Sequence, residues 1–182
     1  MATSKTGSFY LTETITLPAL SADNTRVQGT IDLGAYINVP TGQALAVESV
    51  DFVHQVTSDY GGNVDGMVSG NAAISSQLTD QNPGTVFVRA DDQSLIASSS
   101  LNISDLTNQA THTSDLYPDN FGPANLSEAF LVVNDMLYFV AGNDGNAIQA
   151  ETYITARIRC RVVKLNTKDW MAIAIQSTAA DN

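Results

Sequence analysis

The stretch YITARIRCRVVKL, residues 153–165, alternates polar and apolar side chains and decides how the chain is interpreted. In an extended strand, successive side chains point to opposite faces. Three arginines therefore share one face, and the apolar residues between them share the other. The basic residues of this stretch are Arg157, Arg159, Arg161 and Lys164. The pattern predicts a strand that packs one face on a core and leaves a basic row on the other face.

The basic row stands out because the chain as a whole is acidic. Its 182 residues include eight Lys plus Arg and 19 Asp plus Glu, for a net charge of −11. A row of like charges gains little unless acid lies opposite it. Neighbouring strands of the same domain can provide that acid, or the acidic flank of another copy can. An anionic surface such as nucleic acid or lipid fits less well, since the rest of the chain would be repelled. We expect the row to form a subunit interface.

The remainder of the chain also has the pattern of strands. Residues 8–17, SFYLTETITL, alternate regularly, and residues 44–56 read as a long central strand that is apolar on both faces at several points. We expect further short strands at TVFVRAD (85–91) and at the closing TKDWMAIAIQST (167–178). The segment SLIASSSLNIS (94–104) fits a strand or a poorly packed helix, and we favour the strand. The charged fraction of 15% and the scarcity of Glu and Lys disfavour long surface helices.

Strand number and spacing indicate the fold class. Eight to nine strands at intervals of about 10–20 residues, with no convincing long helix, predict an all-β sandwich or barrel. The best fit is a single eight-stranded jelly roll with long irregular loops at 58–71 and 105–128. We expect one domain over residues 1–182, with an ordered core of about 8–177 and short flexible termini.

One of these loops contains a weak metal-binding pattern. Asp59, Asn63 and Asp65 lie in DYGGNVDG and could supply oxygen ligands to a hard cation such as calcium. The pattern lacks the first ligand and the terminal Glu of the EF-hand loop, so a turn-rich loop is the simpler interpretation. We expect no cofactor, with a structural calcium ion as the alternative.

Enzyme motifs are missing from the sequence. It contains no G-x-S-x-G elbow, no phosphate-binding P-loop and no G-x-G-x-x-G fingerprint. His54 and His112 are far apart in sequence, and we expect neither to be catalytic. The lone Cys160 excludes an intrachain disulfide and is expected to be inert packing. The sequence predicts a protein that is not an enzyme.

Targeting signals are also missing. The start, MATSKTGSFYLTE, has no apolar segment of the kind that a secretory signal needs. The longest apolar runs, AFLVV and MLYFVA, fall short of the roughly 20 residues of a membrane-spanning helix. We therefore expect synthesis in the cytoplasm, although the composition is typical of an outward-facing β-protein.

Three segments together resemble a known family. They are TIDLGAYINVPTGQALAVESVDFV (30–53), AFLVVNDMLYFVAG (129–142) and YITARIRCRVVKLNTKDWMAIAI (153–175). In pattern, size and composition, residues 8–177 are similar to the single jelly-roll major capsid proteins of icosahedral double-stranded DNA viruses with an internal membrane, those of archaeal halophilic viruses in particular. The resemblance implies a virion protein that self-assembles into capsomers of an icosahedral shell and has no catalytic residues.

The resemblance also implies partners. These are copies of the chain itself, a second capsid protein and an underlying membrane, without direct sequence-specific binding to nucleic acid. The protein would be made in the host cytoplasm and would end in the capsid. The alternative function is a carbohydrate- or calcium-binding β-sandwich module, for which Tyr60, Tyr117 and Phe121 are the candidate aromatic platform. A β-sandwich hydrolase would need clustered carboxylates and histidine in a cleft.

Overall fold

The described part of the chain forms two antiparallel sheets and one helix. The structure is a computed structural model, and it describes residues 3–56, 64–104, 106–107, 109–113 and 129–179. The strands are β1 (Thr3–Ser4), β2 (Phe9–Leu17), β3 (Arg26–Asp32), β4 (Gln43–Val56), β5 (Ala72–Thr79), β6 (Leu95–Ser104), β7 (Gln109–Thr113), β8 (Phe130–Val132), β9 (Met136–Asp144) and β10 (Thr152–Lys164). The helix α1 (Thr167–Ala179) follows β10, and short 3₁₀ turns cover Val39–Thr41 and Asp65–Met67.

The strand order identifies the architecture. One sheet, here called the front sheet, has the order β2-β10-β4-β8, with β1 beside the far end of β10. The other, the back sheet, has the order β3-β9-β5-β6-β7. Leaving out the short β1 and the edge strand β7, eight strands remain, four in each sheet. Along the chain, each of these eight strands is followed by a strand of the other sheet, except that β5 is followed by β6 in the same sheet. This alternation is expected for a jelly roll. The predicted all-β, eight-stranded jelly roll is confirmed.

The core lies between the two sheets. One buried cluster takes its side chains from both, and the Phe52 ring on β4 stacks on the Phe139 ring of β9 with centroids 5.8 Å apart. On β10, Ile158 and Cys160 are fully buried in this cluster, on the face that the alternation predicts. Complete burial of a side chain such as Phe139 or Ile158 stabilises the fold by about 1.5–3 kcal/mol.

The closing segment is a helix, and the predicted strand over 167–178 is wrong. Asn166 caps the helix: its Oδ1 accepts from the backbone N–H of Asp169 at 2.8 Å, and its Nδ2 donates to the Asp169 carboxylate at 2.8 Å. The uninterrupted apolar run from 170 to 175 fits a helix period as well as a strand period. The polar cap decides between the two.

Helix α1 covers one end of the outer face of the front sheet. Trp170, Ile173 and Ala174 pack on a second buried cluster that includes Ala44 and Ala46 of β4. The small alanine side chains let the helix approach the sheet closely, and the cover explains why β4 is apolar on both faces. In the described part of the chain, no helix has the length and apolar character of a membrane span.

Another predicted strand, within TVFVRAD, does not form. Residues 86–88 run beside β5 without a strand assignment. The side-chain amide of Gln77 bonds both backbone groups of Val88, accepting from its N–H at 2.8 Å and donating to its carbonyl at 2.9 Å. A side chain thus takes the bonds that a neighbouring strand would have made. The strand expected over 94–104 is confirmed as β6.

Candidate functional site: the basic outer face of the front sheet

The predicted basic row lies on the outer face of the front sheet. Arg157 is exposed, whereas the side chains of Arg159 and Arg161 are 43% and 24% exposed. Lys164, at the end of β10, is exposed as well. The structure therefore brings the four residues onto one strand at the surface. It also divides the arginines into one that is open to solvent and two that are partly covered.

A β-bulge explains why two of the arginines are covered. Along β10, Cys160 pairs with Val47 and Arg159 pairs with Ser49, so Glu48 is an extra residue in β4 with no partner in the ladder. A bulge locally disturbs the alternation of a strand and redirects a side chain. Val47 belongs to the core, and the Glu48 carboxylate instead meets the arginines on the outer face.

Glu48 is the centre of a compact ion cluster. Its side chain is 1% exposed, and it accepts from both Arg161 Nε and Arg161 Nη2. Its Oε2 lies 3.0 Å from Arg159 Nε and accepts from Ser8 Oγ at 2.8 Å. A buried carboxylate is tolerated only when it is paired and hydrogen-bonded, and this one has two guanidinium groups and a hydroxyl. For Arg159 and Arg161, the acid is supplied by a neighbouring strand of the same chain.

Arg157 has a different environment. Its guanidinium carbon lies 5.2 Å from the centroid of the Tyr10 ring on β2, and Tyr10 is 54% exposed. Asp51 is its register partner on β4. Within the described ranges, no carboxylate oxygen lies within 4.0 Å of Arg157 or of Lys164. These two residues are the part of the row that is open to a partner molecule, and the predicted subunit interface remains a prediction.

The predicted metal loop can be compared with the structure only at its end. Asp59 and Asn63 lie outside the described residues, as do Tyr60, Tyr117 and Phe121 of the aromatic platform. Asp65 begins the 3₁₀ turn Asp65–Met67. Among the residues that the structure describes, no three His, Cys, Asp or Glu side chains are grouped so as to hold a metal ion.

The structure brings together two histidines that are distant in sequence. The ring centroids of His54 on β4 and His112 on β7 are 5.3 Å apart, with the rings edge to face. Burial, reinforced by the charge of His112, lowers the pKa of His54 to about 4, so its imidazole is neutral at physiological pH. His54 Nε2 is buried without a hydrogen-bond partner in the described structure.

The single cysteine is inert. Cys160 is fully buried, and its Sγ lies 3.8 Å from the carbonyl oxygen of Phe9. Burial, and secondarily the charge of Glu48, raises the pKa of its thiol to about 12. Because the thiolate is the reactive form, a thiol with so high a pKa is a poor nucleophile.

Sequence reasoning missed two carboxylates that the structure singles out. Glu48 interrupts an otherwise apolar run in β4, and a charged residue at such a position is a signal that could have been used. Asp80 follows β5 and is only 5% exposed. It lies in a Thr-Asp-Gln-Asn-Pro run that looks like an ordinary turn, and nothing in that run indicates burial.

Comparisons with known proteins give distant structural similarities only. No protein-family model matches the chain, and no curated protein does. The human polyomavirus 6 VP1 pentamer structure overlaps 90% of this chain and 97% of that one, with 10% identity and a TM-score of 0.43.

Two further solved structures show similarly low identity and TM-scores. Merkel cell polyomavirus VP1 in complex with GD1a oligosaccharide overlaps 89% of this chain and 98% of that one, with 9% identity and a TM-score of 0.40. For a maize chlorotic mottle virus structure the overlaps are 87% and 96%, the identity 8% and the TM-score 0.28. Because similarities this low carry no functional argument, the assignment of the fold rests on the strand order of the protein itself.

Proposed function

We propose that the protein is a structural virion protein, a capsid subunit that assembles with copies of itself. The observation that carries the proposal is the eight-strand jelly-roll order in a chain whose residues 8–177 resemble single jelly-roll major capsid proteins. A fold by itself hosts many functions, so the sequence resemblance and the surface chemistry are needed to choose among them.

The surface chemistry favours a contact between unlike surfaces of two copies. Arg157 presents positive charge on the outer face of the front sheet, and Lys164 presents it at the end of β10, in a chain whose net charge is −11. A second copy therefore offers acidic surface to this face. Complementary charges of this kind set the orientation and salt dependence of assembly more than its final affinity. Arg159 and Arg161 would shape the face, and Glu48 neutralises one of their two positive charges.

The remaining features of the role follow from the resemblance. The subunit would belong to an icosahedral shell of the internal-membrane type, would have no enzymatic activity and would reside in the virion. Its partners would be its own copies, a second capsid protein and the membrane beneath the shell, and it would not read nucleic-acid sequence. The proposal includes no cofactor, and a structural calcium ion held by Asp59, Asn63 and Asp65 stays the alternative.

The test is the mass of the purified protein by light scattering, from low to molar salt. We expect assemblies that become smaller as salt rises, because screening weakens contacts between exposed charges. In Arg157→Ser combined with Lys164→Ser, the assemblies should dissociate at lower salt. A matched control is Arg89→Ser, since the Arg89 side chain is 90% exposed and its Nε lies 3.7 Å from the carboxylate of the exposed Asp91.

Substituting the whole row would give an ambiguous result. Loss of Arg159 and Arg161 leaves the Glu48 carboxylate buried without a cation, so the variant would fail through unfolding rather than through lost assembly. The paired substitution at 157 and 164 avoids this problem. A monomer at every salt and protein concentration would refute self-assembly, and equal behaviour of the paired variant and the Arg89 control would refute the role of the basic face.

A further inference from the structure

A cavity beside the end of β5 is lined by oxygen-bearing side chains. Its volume is about 330 Å³, and its walls include Asp80, Asn134, Asp135, Tyr138 and Ser177. These residues come from three separate parts of the chain: the residue after β5, the β8–β9 region and helix α1. The wall is therefore assembled by the tertiary fold and not by one loop.

Asp80 is the unusual member of this wall. It is 5% exposed, and its Oδ1 is buried with no hydrogen-bond partner in the described structure. Its Oδ2 accepts a long contact from Ser177 Oγ, at 3.5 Å. No Lys, Arg or His nitrogen of the described residues lies within 4.0 Å of it. A buried carboxylate in this condition costs free energy, and proteins resolve such a cost with a proton, a cationic side chain or a metal ion.

The charges around Asp80 are also negative. Asp135 lines the same cavity, and the charge of Asp92 adds to burial in disfavouring the ionised form. Burial is the largest cause, and hydrogen bonds from the backbone of Asp80 and from Ser177 oppose it only in part, so the pKa of Asp80 is raised to about 6. The geometry therefore places an unpartnered carboxylate oxygen of Asp80 beside a cavity that a second carboxylate, Asp135, also lines.

The other donors suit a hard cation. Asn134 uses its Nδ2 to donate to the Asp80 carbonyl at 2.8 Å and to Ser177 Oγ at 2.9 Å, so its amide oxygen remains an acceptor. Calcium takes six to eight oxygen ligands from carboxylates, amides, carbonyls and water in flexible geometry. A roomy cavity with two carboxylates and neutral oxygens meets that requirement and leaves space for water.

We propose that this cavity binds a divalent cation of the calcium class, with Asp80 and Asp135 as carboxylate ligands. The site uses other residues than the predicted loop of Asp59, Asn63 and Asp65, and the proposal does not depend on a capsid role. Binding would also tie α1 to the back sheet, because Ser177 of the helix already contacts Asp80.

The experiment uses terbium as a luminescent substitute for calcium, with the full-length protein in a chelator-treated buffer at pH 7.5. Tyr138 lines the cavity, so excitation of tyrosine should sensitise bound terbium, and calcium should displace it. We expect Asp80→Asn and Asp135→Asn each to weaken terbium binding by about tenfold or more. Asp91→Asn, an exposed carboxylate whose side chain is 79% exposed, is the matched control and should bind as the unsubstituted protein does.

A second measurement separates binding from folding. Calcium should raise the melting temperature of the unsubstituted protein and of Asp91→Asn, and leave that of Asp80→Asn unchanged. Two results would overturn the proposal: absence of calcium-displaceable luminescence, or luminescence that survives both cavity substitutions. Loss of the signal in Asp65→Asn alone would assign the ion to the predicted loop instead. Should Asp80→Asn not fold, Asp135→Asn decides the question.

Discussion

Glu48 in β4 and Asp80 just after the end of β5 are both almost fully buried carboxylates, and their surroundings are opposite. Glu48 is 1% exposed and is held by two arginines and a serine. Asp80 is 5% exposed, has one long hydroxyl contact and has acidic neighbours. The comparison shows that burial alone does not define the role of a charged group. Glu48 is compensated within the chain, whereas Asp80 is left for a proton or an external cation.

The largest expected effect comes from removing the compensation of Glu48. In Arg159→Ser combined with Arg161→Ser, a buried carboxylate loses its cations, and the free energy of unfolding should fall by about 3–5 kcal/mol. Urea denaturation at neutral pH measures the loss. Adding Glu48→Gln to this variant should restore at least half of it, because a neutral amide does not need a cation. If the third substitution destabilises the protein further, the ion cluster is not the cause.

The next effect has the opposite sign. Asp80→Asn removes an uncompensated charge, so without divalent cations at pH 8 the variant should be more stable by about 1–2 kcal/mol. Because the folded-state pKa is about 6, above the ordinary value of 3.8, the contribution of Asp80 to stability improves as pH falls from about 7 to about 4. The advantage of the variant should shrink over that window, as followed by denaturation at several pH values. An advantage independent of pH would contradict the assignment.

A smaller effect is expected at the hydroxyl that completes the Glu48 cluster. Ser8→Ala removes the 2.8 Å bond to Oε2 while both arginines remain, and it should cost about 1 kcal/mol. The comparison is Ser4→Ala, whose hydroxyl donates to the Thr6 carbonyl at the surface and should matter less. Equal losses in thermal denaturation of the two variants would show that Ser8 adds nothing particular to the cluster.

The smallest effect on stability is expected at Arg157. Its contact with Tyr10 is exposed, so Arg157→Ser should change the free energy of unfolding by no more than about 0.5 kcal/mol. Denaturation of the monomer in high salt measures this value. A loss comparable to that of the Arg159 and Arg161 variant would mean that Arg157 is part of the ion cluster, contrary to the geometry.

Alternation in the sequence was sufficient to predict the faces of β10. The arginines at 157, 159 and 161 lie on the outer face, and Ile158 and Cys160 lie in the core, because a regular strand obeys a period of two. The long, doubly apolar β4 was also predictable. The reason why β4 is apolar on both faces was not predictable. Helix α1 covers the outer face of β4, and the apolar run of that helix fits a strand period as well as a helix period.

The two buried carboxylates were harder to predict because both depend on tertiary structure. Glu48 meets the arginines only because β4 contains a bulge opposite the Arg159–Cys160 pair. The charge of Glu48 stands out in LAVESVDF, but nothing in that run shows that the strand bulges there. Asp80 is buried by Asn134 and by Ser177, which lie far along the chain. Residues 167–178 were predicted as a strand. A cavity inferred from that prediction would lack the wall that Ser177 of helix α1 provides.

The bulge at Glu48 has a consequence for how the gene could tolerate change. Deleting one residue from a strand normally inverts every side chain beyond the deletion, and it is among the most disruptive of small mutations. At position 48 the reverse holds, since Val47 already pairs with Cys160 and Ser49 with Arg159. A deletion of this single codon would join two halves of β4 that are in register with β10 and leave both faces in order. The deletion would make the pairing of β4 with β10 continuous. It would also leave Arg159 and Arg161 at the surface without the Glu48 carboxylate.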